Sequence, residues 1–384
     1  MKSNKPTSAK ERGIALIITM MVVTVMTVLI MDLHQSVRIH FYIATNLVDG
    51  VKAAYLVRSG VQVAAGALLS DRQDNSDDHM HESWYDFMGL LNMYGLAGLP
   101  VGEGTVLIDI KDEAGRFNLN SMINKRGKSR QQPIEIFKKL LLQLELEEAL
   151  ANSIVDWIDA DEEAIEGGGL EDQVYGYEAM GIVSKNAPFD SLEEVRLVFG
   201  MNDEVWAKLS KLISIYGDVR MNLNTAPKEV IKAVIRYLDE SADTGVVDKI
   251  IEWREMTVGE GEDEEADPFA SLSFTQEGNY FKKKDMIKTL TAEEIGMDRT
   301  LARRFTRYFK SSSRYFRINC TAIVGGVQKS AVGVTQRSKK KAKIIYYRVS
   351  PGAAPDFMQE EEGSVLGEEA PTPDVQGMLQ SLGM

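Results

Sequence analysis

The chain has 384 residues, of which 44% are apolar and 26% are charged, and its formal net charge is -13 at pH 7. The charged fraction excludes a protein with many membrane spans, and the acidic balance disfavours a nucleic-acid partner. Cys320 is the only cysteine, which excludes an internal disulfide. Stability must therefore come from packing, in two or three hydrophobic cores, or from a bound ion.

The first predicted element is a short basic leader that runs into an apolar helix. Four Lys and Arg residues precede Gly13, and residues 14–31 are apolar apart from three threonines. This length lies at the lower end of the roughly 17 to 25 residues that a membrane-spanning helix needs. No small-residue cleavage site of the secretory type follows Met31, so we expect the segment to be retained as an anchor. Basic residues before it predict a cytoplasmic N-terminus and an exported body.

This junction resembles a type IV prepilin leader, in which a membrane peptidase cleaves after the glycine and the new N-terminal residue is methylated. The resemblance places cleavage between Gly13 and Ile14, with the methyl group on Ile14. Most pilins of this class carry a glutamate at the fifth mature position, where this chain has Ile18. In the family that glutamate is thought to pair with the neighbouring subunit's N-terminus, so its absence suits a subunit at a fibre tip. An ordinary signal anchor is the alternative that the leader alone leaves open.

The membrane helix is predicted to continue well beyond the bilayer. Residues 32–70 contain no proline, and their apolar residues recur mostly at spacings of three and four. From Ile14 to Ser70 the helix would be roughly 85 Å long. Its outer half is expected to lay one face on a globular body. The apolar positions are Val37, Phe41, Ala44, Leu47, Val51, Ala54, Val61, Ala65 and Leu68.

Strand patterns occur in two places that are far apart in the sequence. Residues 105–110 alternate between apolar and polar, and three more strand patterns cover residues 315–324, 327–336 and 342–349. The sequence between Asn118 and Lys310 shows helical patterns instead. These patterns predict an α+β domain that is interrupted by a large helical insertion.

The predicted insertion contains an internal repeat, which indicates two tandem helical units. The recurring pairs are residues 116–122 (RFNLNSM) with 220–226 (RMNLNTA), residues 154–159 (IVDWID) with 250–255 (IIEWRE), and Gly200 with Gly296. Each of the two glycines joins two helical patterns, so each unit is expected to end in a helix-turn-helix hairpin.

An acidic loop distinguishes the first copy from the second. Asp159 and Asp161 are separated by one residue, the glycines at 167–169 permit a sharp turn, and Glu171 and Asp172 follow. Clustered carboxylates on a flexible loop suit a hard cation such as calcium, which takes six to eight oxygen ligands. The spacing is not that of an EF-hand, and helix capping or simple solvation is the alternative interpretation.

Three motifs occur in a fixed order, namely residues 112–120 (DEAGRFNLN), 155–161 (VDWIDAD) and 222–227 (NLNTAP). With the leader and the missing glutamate, they resemble the type II secretion system protein K family of large minor pseudopilins over about residues 1–350. The resemblance implies a calcium-binding helical domain inserted in an α/β pseudopilin domain. Carried onto this chain, the calcium ligands are Asp159, Asp161, Glu171 and Asp172.

The same resemblance implies a structural function rather than a catalytic one. The protein would cap the tip of the pseudopilus, help to initiate its assembly, and bind the minor pseudopilins GspI and GspJ. The prepilin peptidase and the inner-membrane secretion platform would be further partners. The expected location is the inner membrane, with a single span, a cytoplasmic N-terminus and a periplasmic body.

The predicted fold class is α+β, a pseudopilin fold whose long N-terminal helix packs on an antiparallel sheet, with a large inserted all-α domain of two tandem helical units. The predicted segments are a leader (1–13), a transmembrane helix (14–34), a discontinuous α/β pseudopilin domain (35–115 and 311–350), helical unit 1 (116–215), helical unit 2 (216–310) and a disordered tail (351–384). The tail is assigned from its content of Pro, Gly and Glu.

The alternative function is a membrane-anchored helix-hairpin-helix DNA-binding protein of a competence or type IV pilus system. Such hairpins offer backbone N–H groups to phosphates and need nearby cations. Asp203 and Glu204 follow Gly200 and would repel DNA. Three arginines at 299, 303 and 304 make the second hairpin less repulsive to phosphates.

An enzyme is the third class of function, and the sequence gives it little support. No nucleophile elbow or phosphate loop is present, and the four histidines lie on or just after the predicted long helix. His79 and His81, beside Asp77 and Asp78, suit either a metal or a polar loop. We assign no catalytic residue.

Overall fold

The computed structural model describes residues 9–93, 98–160, 184–256 and 278–351. The acidic segment 260–267, the predicted ligands Asp161, Glu171 and Asp172, and the tail from residue 352 onward lie outside the described residues. The strands, in chain order, are β1 (Leu99–Val101), β2 (Gly104–Asp112), β3 (Phe117–Asn118), β4 (Ile213–Ser214), β5 (Met221–Asn222), β6 (Phe309–Lys310), β7 (Tyr315–Val324), β8 (Val327–Arg337) and β9 (Ala342–Pro351).

The described helices begin with α1 (Ala9–Asp74), which is continuous over 66 residues. The others are α2 (Phe87–Met93), α3 (Gln131–Gln143), α4 (Ala149–Ile158), α5 (Asp203–Leu209), α6 (Lys228–Leu238), α7 (Gly245–Glu255), α8 (Met286–Leu290) and α9 (Arg299–Phe305). Short 3-10 helices cover Leu119–Met122 and Leu192–Leu197.

The N-terminal half of α1 stands free of the rest of the protein. Its described side chains are exposed from Leu16 to Val48, and α1 is long and apolar enough to cross a membrane. The hydroxyl groups of Thr19, Thr24 and Thr27, in the apolar segment, each donate a 2.8 Å hydrogen bond to a carbonyl oxygen three or four residues earlier. These bonds satisfy the threonine hydroxyls within the helix, as a lipid environment requires.

The C-terminal half of α1 packs on a five-stranded antiparallel sheet of order β1-β2-β7-β8-β9. Small residues allow this close approach. A Cβ atom added to Gly60 would lie 2.5 Å from the Sγ atom of Cys320, so a larger residue would push the helix away from β7. The buried face of α1 is formed by Ala53, Val57, Val61, Ala64, Ala65 and Leu68.

The predicted apolar stripe of α1 is therefore only partly buried. Val61, Ala65 and Leu68 pack against the sheet, whereas Val37 and Leu47 are exposed. The sheet covers α1 only from about Asp49 onward, so the earlier part of the stripe has no surface of this chain to pack on.

The helical insertion lies between β2 and β7, which are neighbours in the sheet. They pair from Gly104 with Val324 to Asp112 with Phe316. The insertion has its own hydrophobic core, whose described members run from Phe117 to Phe309 and which is separate from the core between α1 and the sheet. Both helical units contribute to this one core.

The internal repeat is visible in the backbone. Each unit begins with a two-residue strand that pairs in parallel with a strand at its end, β3 with β4 and β5 with β6. Helices α3, α4 and α5 of unit 1 correspond to α6, α7 and α9 of unit 2. The 3-10 helix Leu192–Leu197 takes the place of α8. The sequence pattern had predicted no strands here, because two residues are too few to show alternation.

Candidate functional site

The predicted peptidase site lies near the start of α1. Gly13 is within the helix, and the side chain of Ile14 is 58% exposed. Ile18, at the position where related pilins carry a glutamate, is 55% exposed on the same free part of the helix. An apolar surface thus continues around the helix with no carboxylate at this level.

The predicted calcium site falls at the C-terminal end of α4. Asp159 directly follows the helix, is buried, and donates its N–H to the Val155 carbonyl oxygen at 2.8 Å. Asp156, one turn earlier, is also buried. The next backbone N–H, that of Ala160, donates to the Gly127 carbonyl oxygen at 3.0 Å, which fixes the chain as it enters the acidic loop.

Asn186 brings a further side-chain oxygen, of the kind that ligates calcium, close to this site, and sequence reasoning missed it. Its backbone N–H donates to the Trp157 carbonyl oxygen at 3.0 Å, so the chain returns to the end of α4 after the acidic loop. Its φ of 48° is in the left-handed region, which asparagine tolerates. The side-chain oxygen of Asn186 is buried and accepts no hydrogen bond from the described residues. Carboxylate and amide oxygens are the donors that calcium takes, so the described residues fit this ion.

At the matching place in unit 2, Arg254 stands opposite Ile158, and only Glu255 matches a carboxylate, Asp159. Arg254, near the end of α7, is buried, and its Nη1 atom donates to the carbonyl oxygens of Leu223 at 2.9 Å and Ala226 at 2.8 Å. Burial lowers the pKa of this guanidinium from its ordinary value. In unit 2 the guanidinium of Arg254 thus holds the chain at this point. Unit 1 has buried acidic side chains in the corresponding region.

The repeated Asn-Leu-Asn motif has a structural role that the sequence did not disclose. In unit 1, Asn120 accepts the N–H of Phe189 at 2.8 Å and donates to its carbonyl oxygen at 3.0 Å. In unit 2, Asn224 makes the same pair of bonds to Phe281, at 2.7 and 3.1 Å. We call these two residues the asparagine clips. Each one fastens a distant backbone segment to the first turn of its unit.

A buried group of charges joins α1, the segment that follows it and the sheet. The Nη1 atom of Arg337, at the end of β8, donates to Asp71 of α1 at 2.8 Å, and its Nη2 atom donates to Asp78. The guanidinium also lies 4.5 Å from the ring centre of Phe316. The side chain of Arg337 is 0% exposed and that of Asp78 1%. With Glu82, whose carboxyl group lies beside these two aspartates, these residues are here called the Arg337 cluster.

In the two helix-turn-helix hairpins, side chains cap backbone N–H groups at the start of the second helices. Asn202 accepts the N–H of Val205 at 2.9 Å, and Asp298 accepts those of Thr300 and Leu301 at 2.8 and 2.9 Å. Side-chain caps thus occupy N–H groups that a DNA phosphate would need.

Comparison with known proteins gives these features a family. A model described as type II secretion system (T2SS), protein K, matches residues 115–218. The type II secretion system protein K of Pseudomonas aeruginosa is 24% identical over 357 residues, which cover 90% of this chain and 95% of that protein. The Klebsiella pneumoniae protein of the same name is 28% identical over 228 residues, covering 56% of this chain and 67% of the relative. The chain belongs to the type II secretion system protein K family.

Protein K family members are minor pseudopilins, and the fold agrees. A chain in the crystal structure of the GspK-GspI-GspJ complex from enterotoxigenic Escherichia coli has a TM-score of 0.57 and 17% identity, covering 78% of this chain and 96% of that one. The predicted α+β fold, with a long N-terminal helix, an antiparallel sheet and an inserted helical domain, is confirmed. For a protein K the N-terminal apolar helix is a single-pass membrane anchor.

Proposed function

We propose that the chain caps the tip of the periplasmic pseudopilus of a type II secretion system and helps to initiate its assembly. It would be anchored in the inner membrane after the prepilin peptidase has cleaved between Gly13 and Ile14 and Ile14 has been methylated. Its N-terminus would face the cytoplasm, and the inner-membrane secretion platform would be a further partner.

The observation that carries this proposal is the unpartnered apolar surface of α1 outside the bilayer. A span of about 20 residues from Ile14 would end near Leu33. Beyond this span, Phe41 and Leu47 are 67% and 69% exposed, and apolar side chains between them are also exposed. An apolar helical surface of this extent in water needs other helices to cover it. The helices of two other minor pseudopilins supply that chemistry.

Two features support a position at the tip rather than along the fibre. Ile18 removes the carboxylate that would pair with a neighbouring subunit's N-terminus. The insertion between Asp112 and Phe316 adds a helical domain to one end of the sheet, where it would block the addition of another subunit. GspI and GspJ are the proposed partners, because they accompany GspK in the complex whose fold this chain shares.

The experiment is to co-purify the full-length protein with its GspI and GspJ counterparts in detergent. We expect a defined complex that contains one copy of this chain. Changing Leu47 to glutamate should weaken that complex at least about tenfold, since it places a charge in an apolar interface. The matched control is Gln62→Glu on the exposed side of α1. A homopolymer of this chain alone, or equal binding by Leu47→Glu, would contradict the proposal.

Calcium is the cofactor that we propose for unit 1. Asp159 is the predicted ligand that the structure describes, and Asp161, Glu171 and Asp172 would complete the site together with the amide oxygen of Asn186. The bound ion would neutralise the carboxylates and hold the acidic loop, as Arg254 holds the equivalent place in unit 2.

Calcium should therefore raise the melting temperature of the full-length protein, and a chelator should reverse the effect. Calcium in large excess over its dissociation constant stabilises by about 3 kcal/mol at a hundredfold excess. Changing both Asp159 and Asp161 to alanine should lower the melting temperature and abolish the response to chelator. Glu255→Gln, at the position in unit 2 that matches Asp159, should keep the response to calcium and chelator. A calcium-independent melting curve of the unmodified protein would refute the site.

A further inference from the structure

The Arg337 cluster contains more carboxyl groups than its one guanidinium can neutralise. Carboxyl oxygens of Asp71, Asp78 and Glu82 all lie within 4.8 Å of one another. Arg337 donates to the two aspartates, whereas Glu82 is held by neutral donors. These donors are the side chain of Asn75 at 2.8 Å, the N–H of His79 at 3.0 Å and the indole N–H of Trp84 at 2.7 Å.

A proton completes this arrangement. Three ionised carboxyl groups within 4.8 Å of one another would repel strongly in a largely buried site, and one guanidinium offsets only part of that repulsion. A metal ion does not fit as well, because the guanidinium of Arg337 already occupies the place of a cation between Asp71 and Asp78. Repulsion between carboxylates that share one site is relieved by protonating one of them.

The cluster sits at the root of a segment that fastens the helical domain to α1. This segment, residues 75–86, is here called the strap. The N–H of Asp78 donates to the Ser311 carbonyl oxygen at 2.7 Å, and the Asp78 carbonyl oxygen accepts the side-chain amides of Asn222 and Asn224 at 3.0 and 3.1 Å. His81 shares a 2.8 Å hydrogen bond with the Arg254 carbonyl oxygen. The strap therefore contacts unit 2 through its own backbone and side chains.

We propose that the Arg337 cluster is a proton-operated lock between the long helix and the helical domain. With a proton on Glu82 the cluster is closed and the strap is fixed. Loss of that proton places a third carboxylate beside Asp71 and Asp78, with one guanidinium to balance them. The repulsion weakens the contacts of the strap, and the angle between α1 and the helical domain can then change.

The surrounding charges set the pH at which the lock opens. The groups that face Glu82 and its neighbours are Asp71 and Arg72 on α1, Asp78, His79 and His81 in the strap, Asp112 at the end of β2, Lys282 in unit 2, and Arg337 on β8. Burial, and then the charges of Asp71 and Asp78, raise the pKa of Glu82 to about 8. Burial lowers the pKa of His79 to about 4, so this imidazole adds no positive charge at neutral pH.

The sign of the effect follows from the raised pKa of Glu82. A carboxyl group that holds its proton more tightly in the folded state stabilises fully below its unfolded pKa, near 4.5. That stabilisation declines as the pH rises and is lost as the pH passes through about 8. The lock is thus closed in neutral solution and opens in mild alkali.

Hydrogen exchange of the full-length protein in detergent micelles tests this proposal. Protection factors of residues 75–86, corrected for the intrinsic exchange rate, should fall at least tenfold between pH 7 and pH 9. Glu82→Gln, which imitates the protonated acid, should keep its protection at pH 9. Glu103→Gln is the matched control, because Glu103 is an exposed carboxylate paired with Lys52, and it should behave like the unmodified protein.

A second measurement serves if Glu82→Gln fails to fold. The infrared band of a protonated carboxyl group should be present in the unmodified protein at pH 7 and should disappear with a midpoint near pH 8. Absence of a titrating carboxyl band would overturn the proposal. So would strap protection that is independent of pH, or a fall in protection that Glu82→Gln shares.

Discussion

Replacing Arg337 with methionine should destabilise the folded protein by about 3–5 kcal/mol, the usual cost of removing one partner from a buried ion pair. The arginine side chain is 0% exposed, and its loss would leave Asp78, 1% exposed, without its cation. Methionine fills a similar volume and can still pack on Phe316, so the loss of charge dominates. Asp71 would lose the same partner but is 18% exposed, which allows water to compensate in part.

Denaturant unfolding of the full-length protein in detergent micelles measures this effect. Arg348→Met is the matched control, because Arg348 is 61% exposed and lies 3.7 Å from Glu193, which is 56% exposed. An exposed pair of this kind contributes about 0.5 kcal/mol or less. Equal unfolding free energies for the two variants would show that the Arg337 cluster does not hold the sheet to α1.

Changing Asn224 to alanine should cost about 3 kcal/mol, because it strands two buried backbone groups. The N–H and the carbonyl oxygen of Phe281 would each lose their hydrogen-bond partner, whereas the Asp78 carbonyl oxygen would keep the side-chain amide of Asn222. Stranding a single buried group costs about 1–3 kcal/mol, with partial relief from water. The corresponding change at Asn120 should cost somewhat less, about 2 kcal/mol, because its clip lies nearer the surface.

The two asparagine clips provide an internal comparison in one unfolding experiment. Asn202→Ala is the control, since Asn202 is an exposed helix cap whose loss costs about 1 kcal/mol. The expected order of destabilisation is Asn224→Ala, then Asn120→Ala, then Asn202→Ala. If both clip variants were as stable as the cap variant, these asparagines would not fasten the two units.

Local patterns were sufficient for much of the fold. The apolar run after Gly13, the alternation in residues 105–110 and after Tyr315, and the repeat in the insertion predicted α1, four strands of the sheet and two helical units. The extent of packing on α1 was not predictable in this way. A stripe at helical spacing reports which face is apolar, but where the sheet begins to cover it, near Asp49, depends on tertiary contacts.

The candidate sites divide in the same manner. The acidic site at the end of α4, where Asp159 is buried, was suggested by residues that are neighbours in the sequence, and it stays a prediction. The Asn-Leu-Asn repeat was visible, but its partners Phe189 and Phe281 lie 69 and 57 residues away. Arg337 and Asp78 are 259 residues apart, so no local pattern joins them. The one available hint was that strand alternation turns Arg337 toward the same face as Ala331.

The placement of the insertion also bears on how the chain folds. Strands β2 and β7 pair directly, yet the whole helical domain lies between Asp112 and Tyr315. Contacts between residues so far apart in sequence form slowly, and a chain that is made from its N-terminus exposes α1 and β2 first. Compaction of the helical domain would bring the two strand ends together and shorten the effective loop. We therefore expect the helical domain to fold before the sheet closes, with the face of α1 around Gly60 uncovered until the last three strands emerge.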